Sequence, residues 1–566
     1  MQTRIQSGQR IVRYAATALL LSAVISAGAQ TSGIVTVTPP PGAPVVTGGF
    51  VPSGATPDLG WPVNLGLNNS GYPYTPTLFD VDNDGADEIL VVGGNIFGIR
   101  GNGTFLTGWP TAEQQYMGYG TNACKPGPSA ADVDGDGIGE VLWSLRDWWA
   151  GSARMWCFNG KRLDYSNMPG FPQYAPNDYS NALDSPFVLG DTNGDGKLEA
   201  WSAHTLGNTG VYYRISGFET TNGTRLFTTD LHPQETVLNL FFGDLDGDGR
   251  SEMFAISWLA PFVQLRAFHA DGSVKPGYPV VLATLGSGFF MPFEPPLAAD
   301  LDGNGDLELI VGWWSNASYA GILHHDGSPY PGYPITIATG SQLFGLGLGD
   351  LTGDGQPELL AIENTLGYPP PYRAFAFDLP TGTILGGWPV DLNGWPKGTP
   401  IVVDVDNDGK QEMCFSTDLG EVYAIKHSGV LAPGFPKMMS APSISGVAAG
   451  DLDGDGLYEL VAATWNGFVY AWDTDGVVKA GRADWPMRGA NARNTSVFGD
   501  YDVATGDLNC DGVVDFDDIN PFVLALSDPG GYATAYPNCR IRNGDTNHDG
   551  RVTFDDINPF VALLTQ

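Results

Sequence analysis

The chain has 566 residues, 42% of them hydrophobic and 11% aromatic, which supports packed cores and excludes a disordered polyanion. Its formal charge of −36, from 63 acids against 27 lysines and arginines, argues against nucleic-acid or anionic-membrane partners, both of which select basic surfaces. Seventy-seven glycines and 42 prolines point to many turns between short elements.

The N-terminus reads as an export signal over residues 1–29. Arg4, Arg10 and Arg13 precede an apolar run at 15–25, and Ala27, Gly28 and Ala29 offer a small-residue cleavage site. The run is short for a bilayer span, so the expectation is a secreted or cell-surface protein with no membrane insertion. A retained anchor is the alternative. Residues 30–58, rich in Pro, Gly, Thr and Val, suit an extended spacer.

From 59 to 498 one acidic loop, Asp-x-Asp/Asn-x-Asp-Gly-x-x-Glu, recurs eight times at intervals of 47 to 59 residues, with two neutral substitutions. Its expected ligand positions one, three, five and nine are Asp80, Asp82, Asp84 and Glu88; Asp132, Asp134, Asp136 and Glu140; Asp191, Asn193, Asp195 and Glu199; Asp244, Asp246, Asp248 and Glu252. The second half supplies Asp300, Asp302, Asn304 and Glu308; Asp350, Thr352, Asp354 and Glu358; Asp404, Asp406, Asp408 and Glu412; Asp451, Asp453, Asp455 and Glu459. Alternate oxygen side chains around a glycine turn make a cage for a hard divalent cation, and more than four oxygen ligands favour Ca²⁺ over Zn²⁺ or Mg²⁺. Thr352 and Asn304 weaken their own loops, where a plain polar turn competes with a metal site. The expected role is structural, because burying like charges without a cation is costly.

Each loop is entered by an apolar run and opens a β-rich one, such as 88–92, 308–311 and 459–462. A third alternating segment closes on a turn (265–272, 422–429, 469–476). A fourth short strand is expected to end in Gly-aromatic-Pro, at Trp109-Pro110, Phe171-Pro172, Tyr278-Pro279, Tyr333-Pro334, Trp388-Pro389 and Phe435-Pro436, since proline tolerates only an edge strand. Four antiparallel strands per unit predict an all-β propeller of eight blades, with seven as runner-up. Trp61-Pro62 and Trp485-Pro486 both read as outer-strand motifs, one of which closes the ring. On these loops and strands, residues 59–498 resemble the FG-GAP/VCBS repeats of integrin-type propellers. That family usually has Asp at loop position nine, whereas all eight loops here have Glu.

Residues 503–566 contain a duplicated twelve-residue loop. Its expected ligands are Asp507, Asn509, Asp511, Asp515 and Asp518, then Asp545, Asn547, Asp549, Thr553 and Asp556, around turn glycines Gly512 and Gly550. Ten cation loops are thus expected in all, and 36 of the 63 acids sit at their ligand positions. The duplicated loop followed by apolar residues resembles an EF-hand-like α module, the type I dockerin. The resemblance implies a cohesin-like scaffold partner. Pro521 and Pro559 depart from the pattern unless they lie in a first helical turn, or Asn520 and Asn558 cap helices starting at the prolines. Phe516-Asp517 and Phe554-Asp555 replace small hydroxyl residues. A calcium-stabilised anchor of another partner is the alternative.

Cys510 with Cys539, and Cys124 with Cys157, are candidate disulfides, while Cys414 reads as a buried hydrophobe. His269, His324, His325 and His427 recur near third-strand ends, which suggests a local structural use. No nucleophile elbow, zinc-protease helix or phosphate loop is present. Strand parity puts the loops between second and third strands, and those between blades, opposite the cation loops. Several are aromatic: Tyr116, Tyr119, Arg146, Asp147, Trp148, Trp149, Tyr174, Tyr179, Trp313, Trp314 and Tyr368. Rings beside Arg and Asp suit sugar stacking, and packing between blades is the competing use. The leading expectation is a calcium-binding, non-enzymatic propeller recognising a polysaccharide or a cell-surface protein. A polysaccharide lyase or hydrolase is second, disfavoured by the few basic residues, and a purely structural envelope component is third.

Overall fold

In a computed structural model, residues 61–566 are described except 68–72, 93–95, 110–126, 135–137, 150–152, 176–186, 195–196, 207–211, 232–234, 246–249, 260–261, 285–295, 303, 305, 315–316, 340–341, 365–371, 480–482, 498–505, 510–513, 515, 537–540, 545, 547–551 and 565–566. Each acidic loop joins a short apolar strand to a longer β-rich one, and the strands that follow add in sequence order. The described residues form eight antiparallel sheets in this way, one per acidic loop: an eight-bladed propeller.

Blade 4 shows the plan, with Thr236–Gly243 innermost, then Glu252–Leu259, Phe262–Phe268 and Val280–Thr284. In all eight blades the position-nine glutamate pairs in register with the last residue of the inner strand, as Gly243 with Glu252 and Val403 with Glu412. Positions one to eight therefore form the hairpin between first and second strands. The connections between second and third strands lie at the opposite end of each sheet, as the parity argument requires.

Inner strands are apolar on both faces because they are covered on both. Ile401, Val402 and Val403 are fully buried, as are Leu297, Ala298 and Ala299. Adjacent blades share their cores: Leu348, Leu359 and Ile362 of blade 6 pack in one cluster with Val402, Met413 and Phe415 of blade 7. Burial of each such aliphatic side chain stabilises by roughly 1.5–3 kcal/mol. Cys414 is free and buried in blade 7, the small hydrophobe the sequence suggested. Cys124, Cys510 and Cys539, and the side chain of Cys157, lie outside the described residues.

The aromatic-proline motifs act differently from the sequence expectation. They open the outer strand rather than end it: Pro279 precedes Val280–Thr284, Pro334 precedes Ile335–Thr339 and Pro436 precedes Lys437–Met438. A proline just before the first ladder residue removes no ladder hydrogen bond, so it marks a beginning as readily as an edge. Pro110 is outside the described residues.

The two remaining motifs part company. After Trp61-Pro62, Val63–Asn64 pair with Val469 and Phe468 and supply the outer strand of blade 8, so the N-terminal segment closes the ring. Trp485-Pro486 is no outer strand. Residues 483–497 run instead along the inner strands, whose free edges face the propeller axis. Val402 N–H donates to Trp485 O at 2.9 Å, Ala449 to Pro486 at 2.7 Å, Ala130 to Ala492 at 3.0 Å, Leu189 to Arg493 at 3.0 Å and Ala298 to Ser496 at 2.9 Å. These are the inner strands of blades 7, 8, 2, 3 and 5. Trp485 is only 1% exposed, and Arg488, Asn491, Asn494 and Ser496 are buried beside it. This axial plug thus satisfies inner-edge groups that would otherwise need water.

At the C-terminus the described helices are α1 (Ile519–Ser527), α2 (Pro529–Ala535) and α3 (Ile557–Leu563). Pro521 and Pro559 fall at the third helical residue, where the missing N–H costs nothing, and the N-caps are Asp518 and Asp556 rather than the asparagines. Leu508, Phe522, Ala525, Tyr532 and Phe560 form a small core, with the Phe522 and Phe560 rings stacked 4.2 Å apart. No described helix is long and apolar enough to cross a membrane.

Candidate metal centres

The repeated hairpin positions its carboxylates by spending specific oxygens on the backbone. In every blade the position-nine glutamate accepts, through Oε2, the N–H of position two: Val81, Val133, Thr192, Leu245, Leu301, Leu351, Val405 and Leu452, at 2.7 to 3.1 Å. Position one caps the turn. Asp451 takes Gly454 N–H at 2.8 Å and Gly456 N–H at 2.9 Å, and Asp350 does the same for Gly353, Asp354 and Gly355. Position five turns one oxygen onto the N–H of position seven, as Asp408 does for Lys410 and Asp455 for Leu457. Gly409 at position six has φ +93°, which the hairpin needs and which side chains resist.

What is left converges. Asp80, Asp82 and Glu88; Asp132, Asp134 and Glu140; Asp404, Asp406 and Glu412; and Asp451, Asp453 and Glu459 each bring one oxygen per residue within 4.8 Å of the others. In blade 5 the group is Asp302, Glu308 and His324. The oxygens Asp82 Oδ1, Asp406 Oδ1 and Glu412 Oε1 are buried with no hydrogen-bond donor. Such atoms cost free energy unless a cation or donor meets them, so the residues present fit a bound divalent ion. Burial first, and neighbouring carboxylates second, push Glu88, Glu358, Glu412 and Glu459 up to about 8. In blades 3 and 6 the neutral third position reaches the same glutamate: Asn193 Nδ2 donates to Glu199 at 2.9 Å and Thr352 Oγ1 to Glu358 at 3.3 Å.

Sequence reasoning placed His324 at a third-strand end but missed the arginines and lysines that answer these charges. The residue directly after the third strand is Arg100 in blade 1, Arg162 in blade 2, His324 in blade 5 and Lys426 in blade 7. Arg100 pairs with Asp82 and lies 3.3 Å from both Asp84 and Glu88, and Arg162 lies 2.5 Å from Asp134. Lys426 lies 2.5 and 2.6 Å from Asp406 and Asp408, and Lys275 lies 2.7 Å from Glu252. For Arg100, Arg162, His324 and Lys426 the shared place one residue past the third apolar run was the available signal; Lys275 lies further along its turn.

Asp136, Asp195, Asp246 and Asp248, with Asp511, Asp515, Asp545, Asn547 and Asp549 of the C-terminal loops, lie outside the described residues. Within those loops Asp507, Asp518 and Asp556 are buried; Asp518 Oδ1 accepts Leu508 and Asn509 N–H at 2.7 and 2.9 Å, and Asp556 accepts Thr553 N–H at 2.7 Å. Asn509 and Thr553 are thus placed on the same turns as their closing aspartates. Of the aromatic candidates, Tyr116, Tyr119, Tyr179 and Tyr368 are outside the described residues, as are the side chains of Arg146, Asp147, Trp148, Trp149 and Tyr174. Trp313 is half-buried and stacks on Tyr319 at 5.6 Å. Sequence reasoning passed over Leu419 and Trp465, which lie between second and third strands of blades 7 and 8 and are 53% and 45% exposed.

Residues 300–361, spanning the blade-5 loop to the second strand of blade 6, match the FG-GAP-like repeat family. No curated protein matches the sequence. Among solved structures, quinohemoprotein alcohol dehydrogenase from Comamonas testosteroni is 11% identical with a TM-score of 0.50, covering 74% of this chain and 76% of that one. Rhamnogalacturonan lyase YesW is 17% identical (TM-score 0.41, covering 78% and 93%). The Bacillus licheniformis rhamnogalacturonan lyase PL11 is 16% identical (TM-score 0.42, covering 77% and 92%). At these identities the likeness is one of fold alone.

Proposed function

We propose that this chain is an exported, non-enzymatic recognition propeller whose blades are held by calcium ions. The observation that supports it is the division of labour within the loops: backbone donors occupy one oxygen of every position-nine glutamate, while in blades 1, 2, 7 and 8 the remaining carboxylate oxygens gather, and some are buried without a donor. Positions one, three, five and nine would hold the ion, and Ca²⁺ supplies the positive charge that lets like charges share a turn. Recognition of a polysaccharide or a cell-surface protein belongs to the end of the sheets opposite these loops, where Leu419 and Trp465 are exposed. The axial plug supports a surface rather than a channel site.

The C-terminal module is proposed to attach the propeller to a cohesin-like scaffold domain, with calcium in its two loops. Phe516 and Phe554, at matching places in the duplicated sequence, are 70% and 75% exposed, and large apolar groups in such repeated exposure suit a protein interface.

Removing calcium with chelator should lower the thermal midpoint by 10 °C or so, given several linked sites, and elemental analysis of untreated protein should find the ion. Identical melting with and without chelator, and no ion found, would refute the metal reading. A glycan array tests recognition, and Phe516→Ser with Phe554→Ser should abolish scaffold binding while leaving the propeller's melting unchanged.

A further inference from the structure

Blade 5 differs chemically from its neighbours. Where blades 1, 2 and 7 send a guanidinium or ammonium group into their loops, blade 5 sends the imidazole of His324, and its Nδ1 lies 3.0 Å from Oε1 of Glu308. Asp302 adds a third donor, all three lying within 4.8 Å of one another. Glu308 is fully buried and its Oε2 is already taken by the Leu301 N–H at 2.9 Å, so Oε1 is the oxygen presented to the imidazole. The imidazole is held in place. Its ring packs against Tyr330 with centres 5.1 Å apart, and the backbone N–H of His324 donates to Ser328 O at 2.9 Å, fixing the turn that carries it. Loop position five is the neutral Asn304, whose Oδ1 turns back onto the Asp306 N–H at 2.6 Å. At its ligand positions this loop brings one acid fewer than those of blades 1, 2, 4, 7 and 8, as many as those of blades 3 and 6, and one nitrogen donor in addition.

We propose that Asp302, Glu308 and His324 bind a borderline transition-metal dication of the zinc class, in contrast to the calcium of the other loops. One imidazole nitrogen and two carboxylate oxygens suit Zn²⁺, Co²⁺ or Ni²⁺, whereas Ca²⁺ takes oxygen ligands. Metal–ligand bonds of about 2.0–2.2 Å in a tetrahedron set donors roughly 3.3–3.5 Å apart. The His324–Glu308 pair is already near that spacing, and the exposed Asp302, whose Oδ1 accepts the Asn304 N–H at 3.2 Å, turns its carboxylate to close the remainder. Water fills the fourth position.

The test uses full-length, chelator-stripped protein and Co²⁺ as the probe, followed by its visible absorption. One equivalent of Co²⁺ should develop the bands, equimolar Zn²⁺ should erase them, and a hundredfold excess of Ca²⁺ should not. His324→Ala should weaken Co²⁺ binding about 100-fold, since even groups that only orient a ligand are worth roughly 10–100-fold. His269→Ala, at the matching place in blade 4, should leave it unchanged. His324 is partly exposed, so the variant should fold; an unaltered circular dichroism spectrum checks this, and His324→Gln serves if alanine does not fold. Full Co²⁺ bands in either His324 variant, erasure by Ca²⁺, or no bands in the parent protein would overturn the proposal. The chelator melting experiment reports separately on the calcium loops, so one reading can fail without the other.

Discussion

The two oxygens of the position-nine glutamate have separate partners, which explains why this chain uses Glu where a shorter acid would serve the ion alone. Oε2 spans back to the position-two N–H, and Oε1 is turned into the loop, where it meets a basic or polar side chain in blades 1, 3, 4, 5 and 6 and would face the proposed cation. In the metal-free protein the raised affinity of Glu88, Glu358, Glu412 and Glu459 for protons fixes the sign of a pH effect. Between about 4.5 and about 8 the folded chain holds protons on these groups that the unfolded chain has released. Metal-free stability should therefore fall as pH rises through that window, and be greatest below it. Melts in chelator at pH 5 and pH 8 check the direction. Calcium binding at pH 7 should displace protons, read as a calorimetric heat that changes with buffer ionisation enthalpy. Glu412→Gln keeps an acceptor for Val405 N–H but removes the buried charge. It should raise the melting temperature in chelator at pH 8 and shrink the calcium-induced shift.

At the level of elements, the eight hairpins were legible because their chemistry is local: alternation of acids, a glycine at position six and an apolar run on each side. The aromatic-proline motif was readable as a strand boundary, yet which end it marks depends on pairing that sequence spacing does not encode. Trp485-Pro486 shows the limit more sharply. Read as an outer-strand motif, it gave no place to the polar Arg488, Asn491 and Asn494 that follow, which are buried along the free inner edges of five sheets. The basic residue after the third strand was visible in Arg100, Arg162 and Lys426, but its target lies in a loop some 16 to 28 residues earlier. Trp485→Ala should cost about 3–5 kcal/mol, as for other large buried aromatics. A denaturant midpoint near that of the parent would show that the plug contributes little to holding the blades.

For the whole molecule, ring closure rests on a two-residue N-terminal strand, Val63–Asn64, added to a blade otherwise built from residues 443–477. Deleting residues 1–65 should leave the edge of Phe468–Val477 open, and an exposed strand edge invites pairing with another chain. Light scattering on heating should then begin at a lower temperature than for the full chain. An unchanged scattering onset would show that the plug alone suffices to keep the ring shut.

The plug is also the last part of the ring that the main chain passes before the C-terminal module. Traction applied to that module enters the propeller along residues 483–497, whose main chain is stitched to five separate sheets, so tension is divided among them before any blade can peel. A tethered protein built this way resists shear from flowing liquid at its centre, and its outermost strands are spared.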